Sequence, residues 1–486
     1  MKNIAILSYS LTAGGAERIA GLLSKHLSEK YNVYLFLHDS SVITYDYGGT
    51  IVDLSANGEE NVEQTLRECK QKYKIDCSIS FLIVMNCLNI RTKMGESVII
   101  SNRCSFGEIV PYPYSNANRI KTWYNDADKI VSCAYGAQYD LIHNFGIDSS
   151  IITTIYNFID KNKILANSEE PLRDDVYSFV GKSKVILNVG RLDEQKNQCK
   201  LLVQFAKLIK EEYDVKLIIL GSGYMENTLK ALAKELGISD KVLFETYCKN
   251  PFPYYKMADI MAFSTDYEGL PNVVLEAMTL GLPVVSVDCL SGPLELIKGC
   301  HDYSVRTEKV EVCERGVLVQ QAYTDRIGET SYLAEGMKKL LDDDEVCRKI
   351  SINQQKFMES YDNSKIFDSW IEVIENTYPG KKVENKRILS ELDNVKKVII
   401  YGAGVYGKTI MRYILSQNIS YDLLCFAVTD KRNAPESIYD IPVYQLDELL
   451  VHKEDAVVVL GVSTKFEKEM GKNLDKYGFN YIYSNI

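Results

Sequence analysis

Short apolar runs alternate with helix-like segments along most of this chain. The first series of apolar runs lies at residues 2–8, 33–37, 78–84, 97–101 and 129–132. Helical periodicity fills the intervals, for example over residues 16–29 after a loop at 9–15. Runs of this kind are typical of strands buried in a parallel sheet. The alternation therefore predicts an α/β fold in which helices cover both faces of a parallel sheet.

The same alternation starts again twice, which predicts more than one such unit. The second series lies at residues 184–189, 215–220, 242–244, 259–263 and 283–287, and a third unit starts at 397–401. Because 486 residues are too many for a single hydrophobic core, we expect about three domains. The predicted boundaries are 1–165 and 178–378 for two doubly wound Rossmann-like domains, the second ending in a closing amphipathic helix at 364–378, then 379–394 for a linker and 395–486 for a small third Rossmann-like domain.

Charge and cysteine content argue against several classes of protein. The formal net charge is −10 and no segment is densely basic, which argues against a nucleic-acid-binding protein. The 12 cysteines show no paired CxxC spacing and the first residues do not form a signal peptide, so we expect a cytoplasmic protein with reduced thiols. The longest apolar run, residues 77–90, is interrupted by polar residues and is too short to span a bilayer. We expect a buried strand and turn there, and no integral membrane segment.

Two glutamates eight positions apart, Glu268 and Glu276, flank the sequence Gly-Leu-Pro-Asn-Val-Val-Leu. The preceding apolar run predicts a strand that ends near residue 263, and Pro271 suits the first position of the following helix. Glu268 is then in the loop at the carboxyl end of a strand, and Glu276 is more than one turn into the helix. Ligands of open α/β sheets bind at this corner, where the helix N-terminus favours an anion. The spacing alone favours a solvated loop acid and a surface helix acid, and the surrounding motifs favour the ligand site instead.

Several separated motifs resemble those of the retaining family-4 glycosyltransferases of the GT-B fold, over residues 1 to about 378. The motifs are Thr-Ala-Gly-Gly-Ala-Glu-Arg at 12–18, Ser-Cys-Ala at 132–134, Ile-Tyr-Asn-Phe-Ile-Asp at 155–160, Asn-Val-Gly-Arg-Leu-Asp-Glu-Gln-Lys-Asn at 188–197, Leu-Gly-Ser-Gly at 220–223 and the glutamate pair with Glu-Gly-Leu-Pro-Asn at 268–272. The resemblance implies two Rossmann-like domains that face a cleft. The N-terminal one would bind the acceptor and the second one the nucleotide-sugar donor.

The resemblance also implies a role for individual residues. Arg191 and Lys196 would bind the donor diphosphate and, with Glu268 near the transferred sugar, would form the catalytic set. Glu276 would hold the ribose. The main chain at the helix start and the first glycine-rich loop would approach the donor closely. The expected donor-binding residues are Gly14, Gly15, Arg191, Lys196, Glu268, Gly269, Leu270, Asn272, Val273 and Glu276. Two solvated cations remain the alternative for Arg191 and Lys196.

The implied reaction is transfer of a sugar with retention at the anomeric carbon, in which the leaving phosphate helps to take the acceptor proton. The two glutamates would then be donor ligands and not a glycosidase acid and nucleophile. Residues 291–295, Ser-Gly-Pro-Leu-Glu, resemble relatives that use uridine donors of hexose or N-acetylhexosamine. We expect no tightly bound cofactor or metal, because Asp126-Ala127-Asp128 precedes a strand and the five histidines have no zinc-like spacing. The nucleotide sugar is expected as a substrate in cell-surface polysaccharide biosynthesis.

The acceptor side is less defined by the sequence. Arg103 follows the apolar run at 97–101, where it could meet a lipid-linked pyrophosphate or a growing glycan, or be a surface cation. Residues 111–124 carry Tyr112, Tyr114, Trp123 and Tyr124, which could rest on a membrane surface or pack in the core. The expected partners are a glycan or lipid-linked acceptor and, by peripheral contact, the inner face of the membrane.

The third unit carries Gly402, Gly404 and Gly407 in a GxGxxG motif after a strand and before a helix. Such glycines allow a tight turn and the approach of a pyrophosphate, and Asp430 follows the next strand where a ribose ligand is expected. The unit resembles the small N-terminal domain of some sugar acyltransferases. A nucleotide site and a scaffold for assembly both remain open. Two other functions stay open for the whole chain: a nucleotide-sugar 2-epimerase, and a sensor or oxidoreductase led by this third unit.

Overall fold

The fold is described from a computed structural model of the chain. It describes residues 1–486 except 13, 106, 108–113, 247, 322–329, 380–391, 393–394, 416–420, 433 and 484–486, and it leaves aside the side chains of residues 114–118 and 464–465. The predicted linker at 379–394 lies almost entirely outside the described residues, as does Tyr112.

The first unit is a seven-stranded sheet in the order β3-β2-β1-β4-β5-β6-β7, with every neighbouring pair parallel. Its strands are β1 Asn3–Ser8, β2 Asn32–Leu37, β3 Thr50–Asp53, β4 Cys77–Phe81, β5 Ser97–Asn102, β6 Lys129–Ser132 and β7 Ile152–Thr154. Its α-helices are α1 Gly15–Leu27, α2 Val62–Lys72, α3 Ile83–Arg91, α4 Tyr114–Trp123 and α5 Tyr135–His143, with 3₁₀ helices at Glu59–Asn61, Tyr124–Asp126 and Ser149–Ile151. The strand order changes direction at β1 and β4, which places a crevice at their carboxyl ends.

The apolar run at 77–90 corrects one prediction. The sequence predicts a strand over 78–84 followed by a turn, but β4 ends at Phe81 and α3 begins at Ile83. Between them, Leu82 has a φ of 69°, which breaks the extended backbone. Apolar content alone does not separate a buried strand from a buried helix, because both lack polar alternation.

The second unit is also a seven-stranded sheet, in the order β10-β9-β8-β11-β12-β14-β13, with only β13 antiparallel to its neighbour among the described strands. Its strands are β8 Lys184–Val189, β9 Val215–Leu220, β10 Val242–Glu245, β11 Ile260–Phe263, β12 Val284–Val287, β13 Val310–Cys313 and β14 Gly316–Val319. Its helices are α6 Lys161–Asn167, α7 Asp174–Val180, α8 Gln198–Lys210, α9 Glu226–Glu235, α10 Phe252–Met257, α11 Asn272–Thr279, α12 Leu333–Leu341, α13 Asp344–Ser360 and α14 Asn363–Asn376, with a 3₁₀ helix at Ser239–Lys241 and a π-helix at Leu294–Lys298.

Helix α14 returns to the first unit. Its buried residues Trp370 and Ile374 belong to the hydrophobic core that lies against β1 and α1. Near its end, Glu375 accepts a hydrogen bond of 2.6 Å from the Tyr31 hydroxyl and forms an ion pair of 2.7 Å with Lys2 Nζ. The helix expected to close the second domain therefore connects the two sheets.

The third unit is a six-stranded sheet in the order β17-β18-β16-β15-β19-β20. Its strands are β15 Lys397–Tyr401, β16 Leu423–Val428, β17 Ser437–Ile438, β18 Ile441–Gln445, β19 Ala456–Leu460 and β20 Asn480–Tyr483. Its helices are α15 Val405–Leu415 and α16 Thr464–Tyr477, with a 3₁₀ helix at Leu446–His452. None of the helices in the described part of the chain is both long and apolar enough to cross a bilayer.

The third unit packs against the first unit at the end of α4 and the 3₁₀ helix that follows it. Its Tyr439 ring meets Trp123 edge-on at 5.2 Å, and the Tyr439 hydroxyl donates to Asp126 at 2.9 Å. The carboxylate of Asp440 forms a two-pronged ion pair with Arg119 at the side of this interface. The shared core includes Ile90, Trp123, Tyr124, Ile410, Met411 and Ile414. Trp123 and Tyr124 are therefore core residues, as the packing alternative for that segment predicted.

Candidate functional site

The loop at residues 264–271 lies between the first and second units. It follows β11 and leads into α11, whose first residue is Asn272, so Pro271 stands immediately before the helix instead of within it. The first unit contacts this loop directly: the Ser105 backbone N–H donates to the Glu268 carbonyl at 2.8 Å, and the Ser105 hydroxyl donates to the same oxygen at 2.9 Å. We call residues 264–272, the loop and the first residue of α11, the cleft loop. Both halves of the predicted cleft therefore meet at the predicted glutamate motif.

Lys196 and Glu268 form a close ion pair in the cleft. Lys196 comes from the loop after β8, and the Thr265 hydroxyl donates to the same carboxylate oxygen at 2.9 Å. The Glu268 side chain is only 8% exposed and that of Lys196 is 16% exposed. Because both charges are largely removed from water, each depends on the other, and an incoming phosphate would be a competing partner for the ammonium group. The structure thus brings together two residues that the sequence places 72 positions apart.

Glu276 is held by one residue from each unit. Arg18 of α1 forms an ion pair with Oε1 at 2.7 Å, and the Tyr255 hydroxyl donates to Oε2 at 2.9 Å. Burial alone would lower the pKa of Arg18, but the Glu276 carboxylate more than offsets this and raises it. Burial, reinforced by Glu276, raises the pKa of Tyr255 well above its usual range. Arg18 and Tyr255 were not predicted as site residues, although Arg18 closes the Gly-Gly-Ala-Glu-Arg motif.

Arg191 lies at the open side of the cleft. Its side chain is 66% exposed, and its guanidinium contacts only near neighbours, Asp193 at 3.2 Å and Gln195 at 2.9 Å, among the described residues. Across the cleft, burial raises the pKa of Glu17 and the positive charge of Arg191 acts in the opposite direction. Because the Arg191 guanidinium is exposed and its acceptors belong to its own loop, the side chain can turn toward an anionic ligand.

The glycines of the first loop and of the cleft loop sit at close approaches. A Cβ on Gly15 would lie 3.1 Å from the Asn272 amide nitrogen, and a Cβ on Gly269 would lie 2.2 Å from the Arg103 carbonyl oxygen. Gly14 has a φ of 125°, which favours glycine. Leu270 is buried, and Val273 is partly buried beside it at the start of α11. Gly269 and Asn272 therefore lie at a junction between the units, and Gly15 approaches Asn272 from the first unit.

Arg103 is partly buried, and its guanidinium contacts side chains of the protein. Its guanidinium donates to Ser101 Oγ at 3.4 Å and makes a short hydrogen bond to Asn157 Oδ1. It also lies 5.7 Å from the centre of the Phe81 ring. Burial lowers the pKa of the Arg103 guanidinium. The acceptor role suggested for Arg103 stays a prediction.

Asp126 and Asp128 each form an ion pair with a lysine, and only that of Asp126 joins two units. Asp126 pairs with Lys408 of the third unit at 3.0 Å, and Asp128 pairs with Lys93 at 2.5 Å. Within the described part of the chain, no group of three or more His, Cys, Asp or Glu side chains is arranged to hold a metal ion.

In the third unit, two of the three motif glycines have a packing role. A Cβ on Gly407 would lie 1.8 Å from the Gly402 carbonyl oxygen, and one on Gly402 would lie 2.7 Å from the Gly461 carbonyl oxygen. Gly404 is exposed, and a Cβ there would meet no described atom within 4 Å. Asp430 is paired at 2.5 Å with Arg432. The accessory nucleotide site therefore stays a prediction.

Known proteins are similar to this chain over both the first and the second units. Residues 171–357 match the sequence model of the family described as Glycosyl transferases group 1. An N-acetylgalactosaminyltransferase of Campylobacter jejuni, named for the acceptor N-acetylgalactosamine-N,N'-diacetylbacillosaminyl-diphospho-undecaprenol, is 29% identical over 386 residues, which cover 75% of this chain and 97% of that protein. This chain is a glycosyltransferase with a group 1 domain at residues 171–357. A second C. jejuni enzyme, an α-1,4-N-acetylgalactosaminyltransferase, is 24% identical to the glycosyltransferase over 77% of this chain and 98% of the relative.

Solved structures show the fold of the glycosyltransferase. HepE from Anabaena, determined in complex with UDP and glucose, superposes with a TM-score of 0.61 at 17% identity, over 77% of this chain and all of HepE. WaaG, a glycosyltransferase of lipopolysaccharide biosynthesis, superposes with a TM-score of 0.56 at 13% identity, over 77% of this chain and all of WaaG. The GT-B fold predicted for the glycosyltransferase is confirmed, and neither the 2-epimerase nor the oxidoreductase alternative is favoured. The family match ends at residue 357 and leaves the third unit unaddressed.

Proposed function

We propose that this enzyme transfers an N-acetylhexosamine or hexose from a UDP sugar to a lipid-linked glycan, with retention at the anomeric carbon. The observation that carries the proposal is the largely buried Lys196–Glu268 ion pair at the cleft, with the buried Glu276 eight positions after Glu268. Two relatives that match almost along their whole length are named as N-acetylgalactosaminyltransferases acting on undecaprenol-diphosphate-linked saccharides. The structurally similar HepE was solved with UDP-glucose.

The proposed donor site assigns a separate part of the nucleotide sugar to each charged residue. Arg191 and Lys196 bind the diphosphate, since a guanidinium fork and an ammonium group suit phosphate oxygens. Glu276 accepts hydrogen bonds from the ribose hydroxyls, and Glu268 contacts the sugar. The backbone N–H groups at the start of α11, from Gly269 through Val273, supply further donors at a helix N-terminus.

In the proposed reaction, the acceptor hydroxyl oxygen forms a bond to the anomeric carbon while the bond from that carbon to the diphosphate oxygen breaks. The electron pair leaves with UDP, and a phosphate oxygen takes the proton of the attacking hydroxyl. The protein contributes position and positive charge where negative charge grows on the diphosphate. Glu268 is paired with Lys196 and is not assigned a covalent role. No tightly bound cofactor or metal takes part in this proposal.

The acceptor class suggests where the enzyme works. A lipid-linked acceptor resides in a membrane, so we infer a cytoplasmic enzyme that meets the inner membrane face by peripheral contact. Vesicles that carry an undecaprenol-linked saccharide test this inference, because co-sedimentation should require the saccharide-bearing lipid or an anionic surface.

A donor screen tests the proposed function. UDP-GalNAc, UDP-GlcNAc, UDP-glucose and GDP-mannose are each added to the full chain, and the melting temperature is recorded, since a ligand that binds the native state raises it. We expect a UDP sugar to protect the wild type and the surface variant Lys184→Ala, but neither Glu276→Ala nor Lys196→Ala. Protection by no nucleotide sugar, with no transfer to a lipid-linked saccharide, would overturn the proposal.

A further inference from the structure

A chain of hydrogen bonds connects the first unit to the start of α11. Arg103 Nη2 donates to Asn157 Oδ1. Asn157 Nδ2 donates to Asn272 Oδ1 at 2.6 Å and to the Leu270 carbonyl at 3.0 Å. The three side chains come from the loop after β5, from the connection between the units and from the first position of α11. We call Arg103, Asn157 and Asn272 the relay.

Arg103 fixes which atoms donate and which accept in the other hydrogen bonds of the relay. A guanidinium can only donate, so the oxygen of the Asn157 amide must face it and the nitrogen must face the other way. That nitrogen donates to Asn272 Oδ1, which turns the Asn272 nitrogen away from Asn157. The Asn272 Nδ2 then lies beside Gly15, where a Cβ would be 3.1 Å away. The relay thus orients an N–H donor at the N-terminal end of α11, between the two units.

The surroundings hold the relay in place. Asn157 is only 4% exposed, and its backbone carbonyl accepts a hydrogen bond of 2.6 Å from the Tyr361 hydroxyl. Ser105, two residues after Arg103, holds the Glu268 carbonyl through two hydrogen bonds. Ser105 therefore holds the middle of the cleft loop, and Asn157 holds its end at Leu270 and Asn272. Groups fixed in advance around a ligand reduce the cost of ordering them when it binds.

We propose that Arg103 is a positioning residue for the donor and not a ligand of the acceptor. It orients Asn157 and, through it, the Asn272 amide toward the anionic diphosphate or the sugar of the nucleotide sugar. This inference rests on the proposed function, because it assigns the donor to the start of α11. It also explains how the first unit contributes to donor binding: the donor site is complete only when both units are closed on the cleft loop.

The variant Asn157→Asp reverses the polarity of the relay with almost no change in shape. A carboxylate oxygen would face Leu270 O and Asn272 Oδ1 in place of an amide donor, which leaves those acceptors unpaired. We expect the UDP dissociation constant and the KM for the UDP sugar to rise about tenfold or more, because buried acceptors left without a donor are costly; a factor of ten corresponds to about 1.4 kcal/mol. The KM for the acceptor is expected to stay within about twofold.

Substitutions at Arg103 complete the experiment. Arg103→Met removes the donor and should raise the donor KM as Asn157→Asp does, whereas Arg103→Lys keeps an N–H donor and should restore most of the affinity. The exposed Arg348→Met loses the same charge away from the cleft and is expected to match the wild type. Arg103→Met and Asn272→Ala should be non-additive in the double variant, since they act on one relay.

Two results would overturn the relay. One is an Arg103→Met enzyme with an unchanged UDP dissociation constant and a raised acceptor KM, which would return Arg103 to the acceptor site. The other is equal UDP affinity in the wild type, Asn157→Asp and Arg103→Met. A wild type that binds no UDP would defeat the proposed function instead. Hydrogen exchange of the first backbone amides of α11 would then test whether the relay positions this segment. Equal exchange rates in the wild type and Arg103→Met would overturn the relay.

Discussion

Arg18 of the first unit and Glu276 of the second unit form an ion pair across the cleft, with 2.7 Å between Nη1 and Oε1. The Glu276 side chain is 6% exposed and that of Arg18 is 27% exposed. The carboxylate that we assign to the ribose is therefore anchored from both sides of the cleft before any donor arrives. This pair also links the first glycine-rich motif to the glutamate motif, 258 residues apart.

Removal of Arg18 should lower the stability of the closed arrangement. We expect Arg18→Met to reduce the melting temperature by several degrees, because a hydrogen bond to a charged group contributes about 1.5–3 kcal/mol and each kcal/mol shifts the melting temperature of a domain of this size by about 2–4 °C. The control is Lys2→Met, which breaks an ion pair whose two side chains are 38% and 40% exposed and should cost less. An equal decrease in melting temperature in both variants would contradict the larger contribution to stability expected of the Arg18–Glu276 pair.

Lys196 should matter more for the chemical step than for folding. We expect Lys196→Ala to lower kcat by about 100-fold to 1,000-fold, as is typical when one group that stabilises developing charge is removed. Lys196→Arg keeps the charge and should recover part of the rate. Steady-state kinetics with the UDP sugar from the donor screen measure both, and Lys184→Ala serves as the matched surface lysine. A Lys196→Ala enzyme with wild-type kcat would remove Lys196 from the catalytic set.

Cys104 should resist alkylation at neutral pH. Burial, and then the nearby Glu268 carboxylate, raise the pKa of its thiol well above the ordinary value. Since only the thiolate reacts, a raised pKa means less thiolate at any given pH, and the rate should increase only at more alkaline pH than for a free thiol. Mass spectrometry after iodoacetamide treatment at pH 8 should show slow labelling in the native protein and fast labelling in guanidinium chloride. Equal labelling rates of Cys104 in the native and the denatured protein would mean that the cleft opens readily around Ser105.

The third unit offers a direct comparison between two glycines. Gly407→Ala should lower the melting temperature, because its Cβ would lie 1.8 Å from the Gly402 carbonyl oxygen in the loop before α15, whereas Gly404→Ala should not, because its Cβ enters open space. Circular dichroism melts of the full chain measure both. If Gly404→Val also abolishes binding of a nucleotide at the third unit without loss of stability, that unit is a nucleotide site. If the wild-type third unit binds none, the scaffold alternative remains.

Local sequence patterns predicted most of the secondary structure near the site. The apolar runs located β1, β8 and β11, and the motif at 268–276 located a loop, a helix start and two glutamates in the right order. These features depend on residues close together in the chain, where periodicity and the special backbone preference of proline act directly. The same logic failed at residues 78–84, because a run that is apolar throughout carries no periodicity to separate β4 from α3.

The sequence by itself determined the elements, the family resemblance and the residue types at the cleft. Only the tertiary structure decided their partners: Glu276 with Arg18, Glu268 with Lys196 and Ser105, and Arg103 with Asn157. It also decided that α14 packs against the first sheet and that Tyr439 of the third unit packs on Trp123. The physical reason is that hydrogen bonds and ion pairs depend on distance in space. Residues more than 50 positions apart meet only after the sheets have packed, and no local preference of the chain encodes which of them will be neighbours.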